Sequence, residues 1–247
     1  MRKAGAGYVS RAVRLLTPPG VFAPISDSRF LADVLREQTL PPRATVLDLC
    51  TGSGILAVTA AMRGARAVTA VDLSRRAVLT TRVNARLNGV KVRALRGDLF
   101  EPVGDQRFDA IVSNPPYVPA ETDELPKKGL ERAWDAGTDG RVLLDRIIEE
   151  APAHLKPGGF LLLVSSSILG TDRTLAAMRD AGLEGVDCIA RRRGPLGPLM
   201  RARVHTLEER GLLAPGQREE DVIIVRGHLP VPKGWRPPTD AELAAST

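Results

Sequence analysis
Two cysteines and three histidines are all the thiol and imidazole groups in this chain of 247 residues. Cys50 and Cys188 stand far apart in apolar, strand-like runs, and His154, His205 and His228 are scattered. Neither a disulfide framework nor a zinc or iron site is therefore expected. Small buried thiols in a reducing compartment are expected instead, which points to the cytoplasm. Long apolar runs are missing too. Nothing approaches the roughly 18 apolar residues of a membrane-crossing helix. The opening MRKAGAGYVS is basic but lacks the apolar stretch of a signal peptide. No membrane association is expected. Negative charge is also in deficit: Lys and Arg total 35 against 29 Asp and Glu, a net charge of +6. Such an excess suits a nucleic-acid or ribosome-associated partner, and it equally suits an arginine-rich proteome.

Apolar residues make up 43% of the chain, enough for a substantial core in one large domain. From residue 44 onward, strand and helix patterns alternate. ATVLDLC, AVTAVDL, VKVRALRGD, FDAIVSN and FLLLVSSS read as buried strands. GILAVTAAMRG, SRRAVLTTRVNARLNG, DGRVLLDRIIEEAPAHL and TDRTLAAMRDAG read as helices, the second of them N-capped by Ser74. This alternation builds an α/β fold, a doubly wound and mostly parallel sheet with helices on both faces. GVDCIARRR and EDVIIVRG, separated by the Gly-, Pro- and Arg-rich residues 194–219, are expected to pair as an antiparallel C-terminal edge. Residues 1–40 are expected to be an N-terminal helical extension broken by prolines. It includes SRFLADVLREQ, with Asp27 or Ser28 as N-cap. The main domain then spans 41–230, and 231–247, Pro-rich and then polar, reads as a flexible tail.

In an open α/β sheet, ligands sit beyond the carboxyl ends of the strands. The first strand ends in Asp48-Leu49-Cys50-Thr51-Gly52-Ser53-Gly54. The third glycine of a dinucleotide fingerprint is absent, and no Gly-Lys-Ser/Thr is present, so neither a pyrophosphate site nor a P-loop is indicated. An acidic residue precedes the glycines instead, which suits a cationic or hydroxyl-bearing ligand. Asp72 ends the second strand, where a carboxylate accepts hydrogen bonds from ribose hydroxyls. Asp98 ends the third, where it can accept from an adenine amine. Any one of these carboxylates alone reads as a solvated turn or a cap. Three at successive strand ends, beside a glycine turn, point to a nucleoside site.

VLDLCTGSG, AVDLS, RGDLF and NPPY, in this order, resemble a class I S-adenosylmethionine-dependent methyltransferase over roughly residues 20–170. One departure is Cys50, where the general pattern has Gly. The resemblance implies a Rossmann-like, seven-stranded methyltransferase sheet and S-adenosyl-L-methionine as cofactor. It also implies a cofactor set of Ser28, Asp48, Cys50, Thr51, Gly52, Gly54, Asp72, Leu73, Asp98, Leu99 and Asn114.

The fourth strand runs into Ser113-Asn114-Pro115-Pro116-Tyr117. Two prolines end strand pairing at once. They also leave an amide, a rigid backbone and an aromatic ring together at a strand end. An amide or exocyclic amine nitrogen is planar, with a delocalised lone pair. The Asn114 oxygen and the Pro115 carbonyl can each accept one of its N–H groups, favouring the pyramidal nitrogen of the transition state. Tyr117 can stack on the planar group and aim it. The expected catalytic residues are thus Asn114, Pro115 and Tyr117, with Asn114, Pro115, Pro116, Tyr117 and Trp134 holding the acceptor. A plain Pro-Pro turn is the alternative.

This tetrapeptide serves enzymes that methylate protein glutamine and enzymes that methylate adenine N6. Three stretches resemble the HemK-type glutamine-N5 methyltransferases, which modify the Gly-Gly-Gln motif of translation release factors. These are FAPISDSRFLADVL, AWDAGTDGRVLLDRII and, less specifically, LKPGGFLLLVSS. The second implies that Trp134, Gly137 and Gly140 wall the acceptor pocket. With only residues 1–40 before the first strand, the chain resembles the short form without the family's N-terminal helical domain. Some members of that branch work with a small zinc-binding activator subunit. A release factor is the expected protein partner and an activator a further one. Arg191-Arg192-Arg193, with Arg201 and Arg203, could instead grip nucleic-acid phosphates, or form a solvated strand edge. An adenine or small-molecule acceptor stays open at this point.

Overall fold
The computed structural model describes residues 12–21 and 26–236. The chain order is α1 (Ser26–Glu37), β1 (Thr45–Leu49), α2 (Ile55–Met62), β2 (Ala67–Asp72), α3 (Arg75–Leu87), β3 (Arg93–Arg96), β4 (Phe108–Ser113), α4 (Val142–His154), β5 (Leu155–Ser166), α5 (Thr171–Asp180), β6 (Glu184–Pro195), α6 (Pro198–Ala202), α7 (Val204–Glu209) and β7 (Glu219–His228). The seven strands form one sheet in the order β3-β2-β1-β4-β5-β7-β6. β1 pairs in parallel with both β2 and β4, so the winding reverses there and opens a crevice beyond the strand ends.

Alternation along each strand supplies both faces of the core. Val46, Val68, Ala110, Leu162 and Ile224 face a cluster completed by Leu31 and Leu35 of α1 and Leu56 of α2. Leu47, Val71, Ile111, Leu161 and Val225 face the other cluster, with Leu144, Ile147 and Ile148 of α4 and Met178 of α5. Arg141 is almost fully buried at the head of α4. It pairs with Asp145 and donates to the Leu169 carbonyl and the Thr174 hydroxyl, tying α4 to α5.

The antiparallel character is concentrated in β7, which slots between β5 and β6 and runs against both. The helix α5 returns the chain far enough for β6 to run in the same sense as β5. β5 begins at Leu155, earlier than its apolar run, because the Lys-Pro-Gly-Gly stretch joins the sheet through a register shift opposite Phe108 and Ala110.

The N-terminal region differs from expectation. Residues 12–21 contain no helix. Backbone groups of Arg14 and Leu16 are met instead by Asn84 of α3 and by Asn88, the residue that caps its C-terminus. The Leu16 N–H donates to Asn84 Oδ1 (2.8 Å) and the Arg14 N–H to Asn88 Oδ1 (2.9 Å), while both amides donate back to the Leu16 and Arg14 carbonyls. Residues 1–11 and the tail from 237 lie outside the described residues. α1 starts at Ser26, so Asp27 sits inside its first turn rather than capping it.

Candidate active site
The crevice at the β1–β4 reversal is a cleft of about 380 Å³. One end is lined by Cys50, Thr51, Gly52, Asp72, Leu73, Asp98 and Leu99, and the other by Asn114, Pro115, Pro116, Tyr117, Trp134 and Leu199. Ser28 reaches it as well.

Asp72 lies at the centre of the first end. Its two oxygens accept the Gly52 N–H (2.9 Å) and the Ser74 N–H (2.8 Å), so it fixes the glycine turn and the start of α3 together. Burial raises its pKa, while those two N–H groups and the nearby Arg132 guanidinium act in the opposite direction. Leu73 beside it is 44% exposed, an apolar wall left open to the cleft. Asp98 receives Arg146 of α4 at 3.0 and 3.4 Å. That pair is half-exposed, so it contributes little stability.

Asp48 and Gly54 do not line the cleft, contrary to expectation. Asp48 is fully buried beneath the turn, where one oxygen accepts the Thr51 hydroxyl and the Ala57 N–H (3.0 Å). Its other oxygen has no partner among the described residues. Burial pushes its pKa up to about 7. Gly54, at φ 81°, is needed for packing: a Cβ there would stand 2.8 Å from the Thr81 methyl carbon on α3. Cys50 has φ 55°, the left-handed region that disfavours a side chain. Both thiols are free, and both residues are half-buried, packed against the core cluster on the α4 side of the sheet. Burial, followed by the negative charges of Asp72 and Asp48, raises the pKa of the Cys50 thiol.

At the second end, the Asn114 amide N–H donates to Ser28 Oγ (2.8 Å). Its Oδ1 is buried and accepts nothing from the described residues. Ser28 therefore serves Asn114, a role its cofactor assignment did not anticipate. Tyr117 donates its hydroxyl to Asp27 Oδ2 (2.5 Å), and Asp27 also accepts from Arg192 (3.0 Å). Burial, then the Asp27 charge, raises the Tyr117 pKa well above its ordinary value. Asp27, Arg132 and Leu199 are site residues that sequence reasoning missed. Only Asp27 carried a signal, as the acidic neighbour of Ser28.

Trp134 reaches the cleft, whereas Gly137 and Gly140 do not line it. They shape the loop behind it. A Cβ on Gly140, at φ 74°, would stand 2.5 Å from the Tyr117 carbonyl oxygen. The arginine run is also not a bare basic stripe. Arg191 pairs with Asp221, Arg192 with Asp27 and Arg193 with Glu219, and Arg192 stacks 4.7 Å over the Phe30 ring.

Residues 12–131 match the family model described as Methyltransferase small domain. A candidate protein N5-glutamine methyltransferase of Methanocaldococcus jannaschii is 36% identical over 188 residues, covering 76% of this chain and 93% of that protein. The chain belongs to the HemK-type family of S-adenosylmethionine-dependent methyltransferases. A release factor glutamine methyltransferase of Geobacter sulfurreducens is 39% identical over 151 residues, 59% of this chain and 53% of that protein. The chain thus spans about half the length of that bacterial HemK-type relative. Among solved structures, the ribosomal protein L11 methylase of Lactobacillus delbrueckii superposes with a TM-score of 0.56 at 22% identity, covering 90% of both chains, and shares the fold.

The cofactor of this family is S-adenosyl-L-methionine. The first end of the cleft fits it. Asp72 presents a carboxylate at the end of β2 on the lining of the cleft, and Leu73 offers an uncovered apolar face. A Cβ on Gly52 would meet only the Cys50 carbonyl oxygen, at 4.0 Å, so the glycine keeps the floor of the cleft open. Among the described residues, no helix is long and apolar enough to cross a membrane.

Proposed function
We propose that this HemK-type methyltransferase modifies the side-chain amide nitrogen of a glutamine in a protein, with the Gly-Gly-Gln motif of a peptide chain release factor as its acceptor. One observation carries the reading. Asn114 presents a buried acceptor oxygen with nothing to accept, while its own N–H is spent on Ser28. An unpaired buried acceptor is costly unless a ligand donor fills it.

Asp72 would hold the ribose of the cofactor, Asp98 the adenine amine, and Leu73 and Leu99 the faces of the base. Cys50, Thr51 and Gly52 would lie along it. When bound, the cofactor supplies a methyl carbon on a positively charged sulfur. Asn114 Oδ1 accepts one N–H of the acceptor amide and the Pro115 carbonyl the other. Together they draw the nitrogen toward the pyramidal geometry that attack requires. Pro116 stiffens that carbonyl. Tyr117, its hydroxyl tethered to Asp27, keeps its ring from swinging, and Trp134 closes the side of the slot. No general base is needed, because the nitrogen becomes acidic once it carries the methyl group and releases its proton to water.

The carboxylate partners of Arg191, Arg192 and Arg193 weigh against phosphate binding there, so the protein acceptor is favoured over adenine. A cytosolic acceptor of this kind suits the free thiols.

The test is tritium transfer from labelled S-adenosylmethionine. Purified release factor, its Gln-to-Asn variant in the Gly-Gly-Gln motif, and total RNA and DNA are offered in parallel. The expected result is label on the release factor that disappears in the variant. Label on RNA or DNA alone would overturn the glutamine reading.

A further inference from the structure
We propose that the insertion between β6 and β7, residues 196–218, is the acceptor-selecting element of this enzyme, with Leu199 as a specificity wall and Arg203 and Arg210 as positioning residues. The inference rests on the reading of the Asn114 end of the cleft as the acceptor end. The insertion builds a core of its own. Leu196, Met200, Leu207 and Leu213 are buried together with Val118 and Ile168, and Tyr117, Trp134 and Leu199 pack against them. Val118 directly follows Tyr117, so the insertion grips the chain as it leaves the catalytic turn.

Two guanidiniums complete that grip. Arg203 donates to the Pro119 carbonyl (2.7 Å) and pairs with Asp135 (2.6 Å). Arg210 donates to the carbonyls of Ala120 (2.5 Å) and Thr138 (3.0 Å), with a longer bond to Glu121 (3.4 Å). These carbonyls belong to two arms of one loop, 118–122 and 134–140. The arms pair through Val118 N–H to the Trp134 carbonyl, Ala136 N–H to Val118 and Ala120 N–H to Gly137. One arm ends in the catalytic turn and the other carries Trp134, so their separation sets the width of the acceptor slot. Leu199 of the insertion then reaches the slot itself. A groove of about 290 Å³ lies between loop and insertion and shares Pro126 and Asp135 with the main cleft. The Arg203–Asp135 pair stands where the two spaces meet.

None of these residues lies at the cofactor end, so their loss should leave cofactor binding intact while acceptor handling fails. The variants are Arg203→Ala, Arg203→Lys and Leu199→Ala. Cofactor Kd is measured by calorimetry. Acceptor KM and kcat are measured on whichever of release factor, RNA or DNA the unsubstituted enzyme labels, so failure of the glutamine reading is seen separately. Hydrogen exchange at Val118, Ala120 and Ala136 is followed with no acceptor present. Arg203→Ala should leave Kd unchanged, speed exchange at the three amides and raise acceptor KM about tenfold, as expected for losing charge-assisted hydrogen bonds. Arg203→Lys, which keeps a charge for Asp135, should recover part of the loss. Leu199→Ala should change the preference between acceptors without changing Kd, and it tests the proposal even if Arg203→Ala fails to fold. Unchanged acceptor kinetics in all folded variants would overturn the proposal. So would equal losses of cofactor and acceptor binding, which would make the insertion a general prop.

Discussion

Asp72 shows how one side chain serves both fold and ligand. Its carboxylate already accepts the Gly52 and Ser74 N–H groups, so the turn is shaped before any ligand arrives. Asp72→Ala should therefore weaken cofactor binding by at least tenfold, as expected for a lost ligand bond plus a less preorganised turn; unchanged calorimetric affinity would remove the ribose role. Cys50 makes the opposite kind of prediction. Burial and two neighbouring carboxylates keep its thiol protonated, and the thiolate is the reactive form. Iodoacetamide at pH 8 followed by peptide mapping should leave Cys50 unmodified in the folded protein and label it once unfolded. Rapid labelling of the folded enzyme would contradict that. The identities of these residues were readable in the sequence, whereas some partnerships were not. Asn114 meets Ser28 and Tyr117 meets Asp27 across 86 and 90 positions of chain, and no local pattern announces such pairs.

At the scale of elements, the parallel strands were legible because burial on both faces makes them continuous apolar runs. The fate of Asp48 was not. A carboxylate at a strand end reads as ligand-facing, but this one turns under the glycine loop to meet Thr51 and the first turn of α2. The helices α6 and α7 escaped notice for another reason: at five and six residues they are too short to show a helical period. The loop they brace should be intolerant of bulk. Gly140→Ala places a Cβ against the Tyr117 carbonyl at a left-handed φ, so it should cost about 1–3 kcal/mol in thermal or denaturant unfolding. It should also depress methyl transfer more than cofactor binding. A variant of wild-type stability would show that the loop relaxes freely.

For the whole molecule, three carboxyls have raised pKa values, each chiefly through desolvation: Asp48 and Glu220, which are buried, and Asp72, which is half-buried at the cleft. A folded state that holds its protons more tightly than the unfolded chain is favoured at low pH. That advantage is lost as pH rises through the folded pKa. For Asp48 the loss runs from about 4, its unfolded range, to about 7. By linkage it is on the order of 4 kcal/mol. Thermal unfolding of the free enzyme should show Asp48→Asn losing less stability than the parent between pH 5 and pH 8. Parallel curves would mean that Asp48 does not titrate in this window. The net charge of +6 is compatible from sequence with a nucleic-acid partner, but the arginines of β6 do not form a bare basic stripe, because they meet carboxylates of the same chain.

The most direct test is the Asn114→Ala enzyme, with calorimetric cofactor affinity and single-turnover methyl transfer measured on the same preparation. The expected result is near-unchanged affinity with transfer slowed by about 10²-fold or more, the effect of removing one transition-state hydrogen-bonding group. Transfer within a few-fold of the unsubstituted enzyme would contradict the assignment of Asn114 as the group that orients the acceptor nitrogen.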